Sequence, residues 1–166
     1  MRWVKRIWLN ILGDWKSSLR YQIILTLPLA VFFWYVYSRG FYPSDAKTLQ
    51  DRGWEQGFFL TKLGFIPYIF FYFFVMGPLQ EFIFRKVMID YGMKLFKDES
   101  FWIVNIAQSS IFALLRIVYP YPLGIMILCF VMGIMYGNDY KNNRSLITIS
   151  IFHFILVLMA ITVNLI

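Results

Sequence analysis

Four ionisable side chains lie within or at the ends of long apolar segments, namely Glu81, Arg85, Arg116 and His153. A charge at the centre of a bilayer costs about 2.5–3.5 kcal/mol on insertion scales, so such residues mark candidate functional sites. Glu81 precedes Arg85 by four residues, the order that favours an ion pair on one helix face. The spacing predicts a structural pair, because a neighbouring cation stabilises the charged carboxylate and makes it a poorer base.

Arg116 and His153 have no such partner at helical spacing. Arg116 requires an acid from another helix, backbone carbonyls or a bound anionic group. His153 is the one histidine of the chain, and in an apolar helix it is either a hydrogen-bonded packing residue or part of a polar site. A dyad of His153 with Ser109 or Ser110 is a further alternative, although no glycine-flanked nucleophile turn accompanies either serine.

The elements that must position these residues are membrane helices. Of the 166 residues, 60% are hydrophobic and 15% are charged, whereas soluble domains are about 45–50% apolar and about 25% charged. A net charge of +7 would suit a nucleic-acid-binding protein. The basic residues instead flank apolar runs, where they orient the chain and contact lipid headgroups. Membrane lipid is therefore the expected partner, and nucleic acid is excluded.

The apolar segments predict an all-α fold, a polytopic membrane bundle of about five transmembrane helices. The second is expected to continue as a helix through Arg85 toward Met93. Residues 1–20 place tryptophan and isoleucine on one side and basic residues on the other, which predicts an interfacial amphipathic helix. The remainder, 21–166, is predicted to be a single transmembrane domain. The approximate spans are 21–38, 63–79, 101–118, 123–136 and 146–166.

Lysine and arginine are distributed unevenly between the two ends of these spans. Eleven lie in the N-terminal segment and after the second and fourth spans, against four on the opposite side. This asymmetry predicts a cytoplasmic N-terminus and an external C-terminus. Gly124, Gly133 and Gly137 would let the fourth span pack closely against its neighbours. The single cysteine, Cys129, cannot form an intrachain disulfide.

Four short motifs follow one another in the second half of the chain. They are GPLQEFIFR (77–85), SSIFALLR (109–116), the glycine-spaced FVMGIMYG (130–137), and a final segment that leads from Ser145 to His153. Their order and spacing resemble the CPBP family (CAAX-processing and bacteriocin-processing, Abi-type) of intramembrane metalloproteases over about residues 65–160. The resemblance implies a helical membrane fold in which these motifs converge on one cavity.

The resemblance also implies that most of the catalytic groups are replaced. In the family, a glutamate and a histidine activate water, while a second histidine and an asparagine hold the oxyanion. The equivalent positions here are Gln80, Arg116, His153 and Val157. Gln80 cannot take a proton, Arg116 stays protonated, and Val157 has no hydrogen-bond donor. Since a general base contributes about 10²–10⁴ in rate, hydrolysis by the family mechanism is not expected.

We therefore predict a catalytically silent CPBP-like membrane protein that binds a partner. The expected occupants of its cavity are a lipid, a transmembrane helix or another integral membrane subunit, with the bacterial inner membrane as the location. Neither cofactor nor metal is expected, because Glu81 and His153 are fewer than the about three protein ligands of a zinc site. An active endopeptidase with altered catalytic residues is the alternative. A channel or transporter is disfavoured, since the spans hold few ionisable groups.

Overall fold

A computed structural model of the chain describes residues 12–38, 65–96, 100–115 and 123–163. No strand occurs in these ranges. The predicted all-α bundle is confirmed. The main helices of these ranges are α1 (residues 15–38), α2 (residues 65–96), α3 (Phe101–Leu114), α4 (Leu123–Asn143) and α5 (Leu146–Val163).

The prediction that α2 continues as one helix past Arg85 is confirmed. Its regular turns alternate with wider turns of the π type, the first of which is Tyr72–Met76. There the amide of Gly77 donates to the carbonyl of Tyr72, five residues earlier. Pro78 supplies no N–H for the carbonyl four residues before it, and this missing donor favours a wider turn at this place.

Helix α1 runs through the boundary that was predicted at residue 20. Its parts are Trp15–Tyr21, a π turn at Gln22–Thr26, and Leu27–Ser38. Asp14 caps its start by accepting a hydrogen bond from the amide of Ser17 at 3.2 Å. The first apolar segment and the basic residues just before it are therefore one helix. Most of the predicted interfacial helix, 1–11, lies outside the described residues.

Helices α3 and α4 pack closely at two glycines of α4. A Cβ added at Gly133 would lie 2.9 Å from the Cβ of Ser109, and one added at Gly137 would collide with Asn105. Such a close approach of two helices requires small residues at the contact. Helix α5 packs against α2, α1 and α4, and α1 also contacts α4. Helix α5, which carries His153, therefore contacts three other helices of the bundle.

The bundle has an apolar surface and a polar interior. Ile24, Phe74, Ile103 and Leu123 are 64–70% exposed. Soluble proteins rarely bury so many charged and amide side chains, whereas membrane helices turn polar groups toward the bundle interior. Among the described residues, Trp15–Val36 is the one helix that is long and apolar enough to cross a membrane, and two further apolar helices are shorter. In the described ranges, the charged, amide and hydroxyl side chains of these residues have no exposed surface: Ser18, Gln22, Thr26, Glu81, Arg85, Asn105, Gln108, Ser109, Asp139 and Ser145.

Candidate functional site between α2 and α5

Glu81 of α2 is completely buried and has a partner on each carboxylate oxygen. Its Oε2 accepts from Nε of Arg85 at 2.9 Å, one helical turn away. Its Oε1 lies 2.6 Å from Nδ1 of His153 on α5. Since Glu81 and Arg85 balance each other's charge, a neutral imidazole keeps the buried cluster neutral. In that state Nδ1 of His153 donates to Glu81, and Nε2 is left as an acceptor.

Arg85 is fully buried as well, and neutral side chains complete its surroundings. Its Nη1 donates to Oε1 of Gln108 on α3. Gln108 in turn donates from Nε2 to Oδ1 of Asn105 at 2.7 Å. The guanidinium also lies over the rings of Phe112 and Tyr136, with Cζ 5.6 and 5.7 Å from the two ring centroids. These cation–π contacts and hydrogen bonds offset part of the cost of burying the cation.

Tyr72 of α2 contacts the other nitrogen of the same histidine. Its hydroxyl lies 3.4 Å from Nε2 of His153 and 3.5 Å from Oε1 of Gln80. The side chain is buried, and Phe154 and Val157 pack against it. Oε1 of Gln80 and, in the neutral tautomer above, Nε2 of His153 are both acceptors, so the single phenolic proton is donated to one of them at a time. The result is a continuous polar chain from a cation, through a carboxylate and an imidazole, to a phenol.

Three of the four positions that the sequence singled out belong to this chain of side chains or adjoin it. Gln80, His153 and Val157 all adjoin Tyr72. Arg116 lies outside the described residues. Gln80 and Val157 therefore both lie at Tyr72, whose hydroxyl contacts Nε2 of His153, while the Glu81 carboxylate contacts Nδ1.

Sequence reasoning missed Tyr72, Gln108 and Tyr136. Tyr72 and Gln80 are eight positions apart, which in a regular α-helix places them about 80° apart around the axis. Tyrosine is also frequent in this chain, so its type alone carried no signal. Gln108 could have been predicted from the sequence, since Asn105 and Gln108 are three residues apart in a helix that is apolar apart from these amides, Ser109 and Ser110. Such a pair of amides marks a polar helix face that must be buried in a bundle.

The residues of this site do not fit a metal centre. The described ranges hold no group of three or more His, Cys, Asp and Glu side chains arranged to bind a metal ion. Glu81 uses both oxygens for Arg85 and His153. Because a protein zinc site takes about three or four ligands, no metal-dependent step is assigned to these side chains.

A second buried polar cluster joins α1 to the end of α4. The carboxylate of Asp139 accepts from Ser18 Oγ at 2.7 Å, from Gln22 Nε2 at 2.6 Å and from Asn143 Nδ2 at 2.6 Å. The backbone amide of Asp14 also donates to the carbonyl of Asn143 at 2.7 Å. Neutral donors of α1 thus fix this helix to the end of α4.

Comparison with known families places the candidate site in a recognised domain. A family model described as type II CAAX prenyl endopeptidase Rce1-like matches residues 62–159. The match spans α2 to most of α5, whereas α1 precedes it. No significant match was found among curated proteins or among solved structures. The family match covers more than half of the chain and confirms the predicted CPBP relationship. This chain accordingly belongs to the type II CAAX prenyl endopeptidase Rce1-like family, and it is a CAAX protease-like membrane protein.

Proposed function

We propose that this protein is a catalytically degenerate member of its family that binds a partner as a subunit or scaffold of a membrane complex. The observation that carries the proposal is Gln80, whose carboxamide lies beside the hydroxyl of Tyr72, and this hydroxyl also contacts His153. The family resemblance expects a glutamate at this position. A carboxamide has no proton-accepting function at neutral pH, so it cannot activate water.

Glu81 is a poor replacement for the missing base. Both of its oxygens already accept from Arg85 and His153 at 2.6–2.9 Å. Taking a proton from water would neutralise Glu81 and leave the buried guanidinium of Arg85 without its counter-ion, which is strongly unfavourable. The replacement of an expected asparagine by Val157, and of an expected histidine by Arg116, removes further donors and acceptors from the family site.

The apolar exterior of the helices supports the membrane setting of this role. Large apolar side chains of α1, α2, α3 and α4 are more than half exposed, and lipid tails or the helices of another membrane subunit would cover them. The proposed membrane topology has about five spans, a cytoplasmic N-terminus and an external C-terminus. The bacterial inner membrane is the proposed location.

The proposal is tested by restoring the expected catalytic groups. Gln80→Glu, Arg116→His and Val157→Asn are combined and assayed for cleavage of prenylated CAAX peptides in detergent or liposomes, beside the natural sequence. Cleavage by the restored protein alone supports a family-like site that has lost its chemistry. Cleavage by the natural sequence that His153→Ala abolishes overturns the proposal. A Lys86→Ala variant of the restored protein is a matched control, since Lys86 lies at the edge of the bundle.

The alternative function is an active membrane endopeptidase with altered catalytic residues. The observation in its favour is the contact of 2.6 Å between Glu81 and Nδ1 of His153. A carboxylate in this place fixes the orientation and the tautomer of an imidazole, as in hydrolytic triads. The alternative predicts that the natural sequence cleaves peptides, and that Glu81→Gln lowers the rate about as far as His153→Ala does.

A further inference from the structure

We infer that Tyr72 is an internal ligand of the site: its hydroxyl occupies a position beside His153 and Gln80 that the neutral hydroxyl group of another molecule can take. The inference rests on the proposed function, because an occupant of the partner-binding cavity has to replace the phenol to reach His153 and Gln80. It specifies the chemistry of that occupant, which is a hydroxyl donor on an apolar body.

The two sides of His153 are bonded very differently. On one side Nδ1 lies 2.6 Å from Glu81, a short bond to a charged acceptor. On the other side Nε2 lies 3.4 Å from the hydroxyl of Tyr72, which is 3.5 Å from Gln80. Hydrogen bonds with hydroxyl donors are normally about 2.5–3.0 Å long and weaken beyond that range. The imidazole is thus firmly held from one side, and its contact with the phenol is exchangeable.

The polar groups around the phenol select the charge of the occupant. Nε2 of His153 and, with the carboxamide oriented as it is, Oε1 of Gln80 both accept hydrogen bonds, so an anionic group without a proton would face two acceptors. A cationic group would add a net charge to a cluster that Glu81 and Arg85 already balance. A neutral O–H group satisfies an acceptor and adds no charge. Phe154 and Val157 pack against the ring, so the rest of the occupant is apolar.

The π turn of α2 is what directs Tyr72 to this site. In a regular α-helix, residues eight apart differ by about 80° around the axis, and each residue adds about 100°. A π turn absorbs one extra residue, so Tyr72 and Gln80 come within about 20° of each other. A shift of this turn to regular α-helical bonding would rotate Tyr72 away from Gln80 by about 100°. Such a shift would move the phenol away from Gln80 while α2 stays helical.

Chemical rescue of Tyr72→Ala tests the class of occupant. Phenol is titrated into the purified variant in detergent, with toluene as the matched ligand that lacks the hydroxyl. One hydrogen bond is worth a factor of about 2–12 in affinity, so phenol is expected to bind more tightly than toluene by this factor. Tyr136→Ala is the control cavity, because the Tyr136 side chain is 1% exposed and its hydroxyl has no hydrogen-bond partner within the described ranges. Phenol and toluene should bind to the Tyr136→Ala cavity with equal affinity.

Tyr72→Phe tests the internal ligand without opening a cavity. His153 is the one histidine of the chain, so ¹⁵N-histidine labelling reports on it alone. Loss of the phenolic donor should change the ¹⁵N shift of Nε2 and leave that of Nδ1 nearly unchanged, while Tyr136→Phe should change Nε2 much less.

Each readout has an outcome that overturns its part of the inference. An Nε2 shift that is the same in Tyr72→Phe and Tyr136→Phe overturns the internal ligand. Equal affinities of phenol and toluene for Tyr72→Ala overturn the hydroxyl class. If Tyr72→Ala does not fold, the less drastic truncation Tyr72→Val takes its place in the phenol and toluene titration, judged by the same criterion. None of these measurements requires cleavage or a partner, so their failure is distinct from failure of the proposed function.

Discussion

Two carboxylates, Glu81 and Asp139, have no exposed surface in this bundle, and their surroundings differ in charge. Glu81 faces the guanidinium of Arg85 within its own helix. Asp139 accepts three hydrogen bonds from neutral side chains, and within the described ranges no cation forms an ion pair with it. The first site is a balanced pair, and the second is a single charge that hydrogen bonds alone stabilise.

The two carboxylates also differ in which part of the chain supplies their hydrogen-bond and ion-pair partners. Glu81 and Arg85 lie in one motif of the family domain and are adjacent on one helix face. Asp139 also lies in the matched residues 62–159, but its donors Ser18 and Gln22 come from α1, which precedes the match. A balanced pair suits a permanent interior, because separating its members is costly. Neutral donors can exchange for water, so they suit the attachment of a separate helix.

The largest effect is expected from breaking the balanced pair. Arg85→Ala leaves the buried carboxylate of Glu81 without a cation, and removing one member of a buried pair costs about 3–5 kcal/mol. The folded yield and the melting temperature in detergent should both fall. Replacing both members, with Glu81→Gln and Arg85→Met, should recover part of the loss, since no net charge then remains buried. Unchanged yield and melting behaviour of Arg85→Ala would refute the structural role.

A smaller loss is expected at the second carboxylate. Asp139→Ala removes the acceptor of Ser18, Gln22 and Asn143, and each unsatisfied buried donor costs about 1–3 kcal/mol. Asn143 is only partly buried and can bond water instead, so the two buried donors Ser18 and Gln22, at the lower end of this range, give an expected total of about 2–3 kcal/mol. Hydrogen exchange should accelerate in the first turns of α1 and remain slow around His153. Uniform acceleration across the bundle would contradict a local attachment.

The charge of Asp139 makes the attachment of α1 sensitive to pH. Burial raises the pKa of Asp139, although hydrogen bonds from Asn143, Ser18 and Gln22 act in the opposite direction. Asp139 lies beyond the predicted span 123–136.

An acid with a raised folded-state pKa stabilises the fold fully below its unfolded pKa, which is about 3.9 for aspartate. That contribution is lost as the pH rises through the higher pKa of the folded state. Asp139→Asn removes the charge, so its stability relative to the natural sequence should improve as the pH rises from about 4 toward neutrality. A pH-independent difference in melting temperature between the two proteins would rule out this linkage.

The smallest effect is expected from Lys86 and Asp90. Like Glu81 and Arg85 they are four residues apart in α2, but they lie at the edge of the bundle. Lys86 donates to Asp90 at 2.7 Å, four residues on, and the Lys86 side chain is 33% exposed. Pairs that contact solvent contribute about 0.2–1 kcal/mol, so Lys86→Ala should lower the melting temperature far less than Arg85→Ala. Asp90 also keeps its ion pair with Arg144 when Lys86 is replaced, so the two losses compare an exclusive buried pair with a shared, partly exposed one at the same spacing. Equal losses would show that burial does not distinguish the pairs.

The sequence by itself determined the helical class, the family and the neighbours within each helix. Apolar segments of bilayer length require helices, because a backbone in lipid must satisfy its own hydrogen bonds. Four residues separate Glu81 from Arg85, and that spacing brings their side chains together in any regular helix. The close packing of α4 was also predictable, because Gly133 and Gly137 lie one turn apart and leave its backbone accessible.

The partners across helices were decided by the tertiary structure alone. His153 meets Glu81 across 72 positions, and Asp139 meets Ser18 across 121. Such contacts depend on how each helix is rotated and how deep it lies, and neither quantity is contained in local spacing. Tyr72 shows the reason most clearly. A single π turn changes the helical phase by about 100°, enough to carry this phenol to Gln80 and His153 from a direction that regular periodicity does not predict.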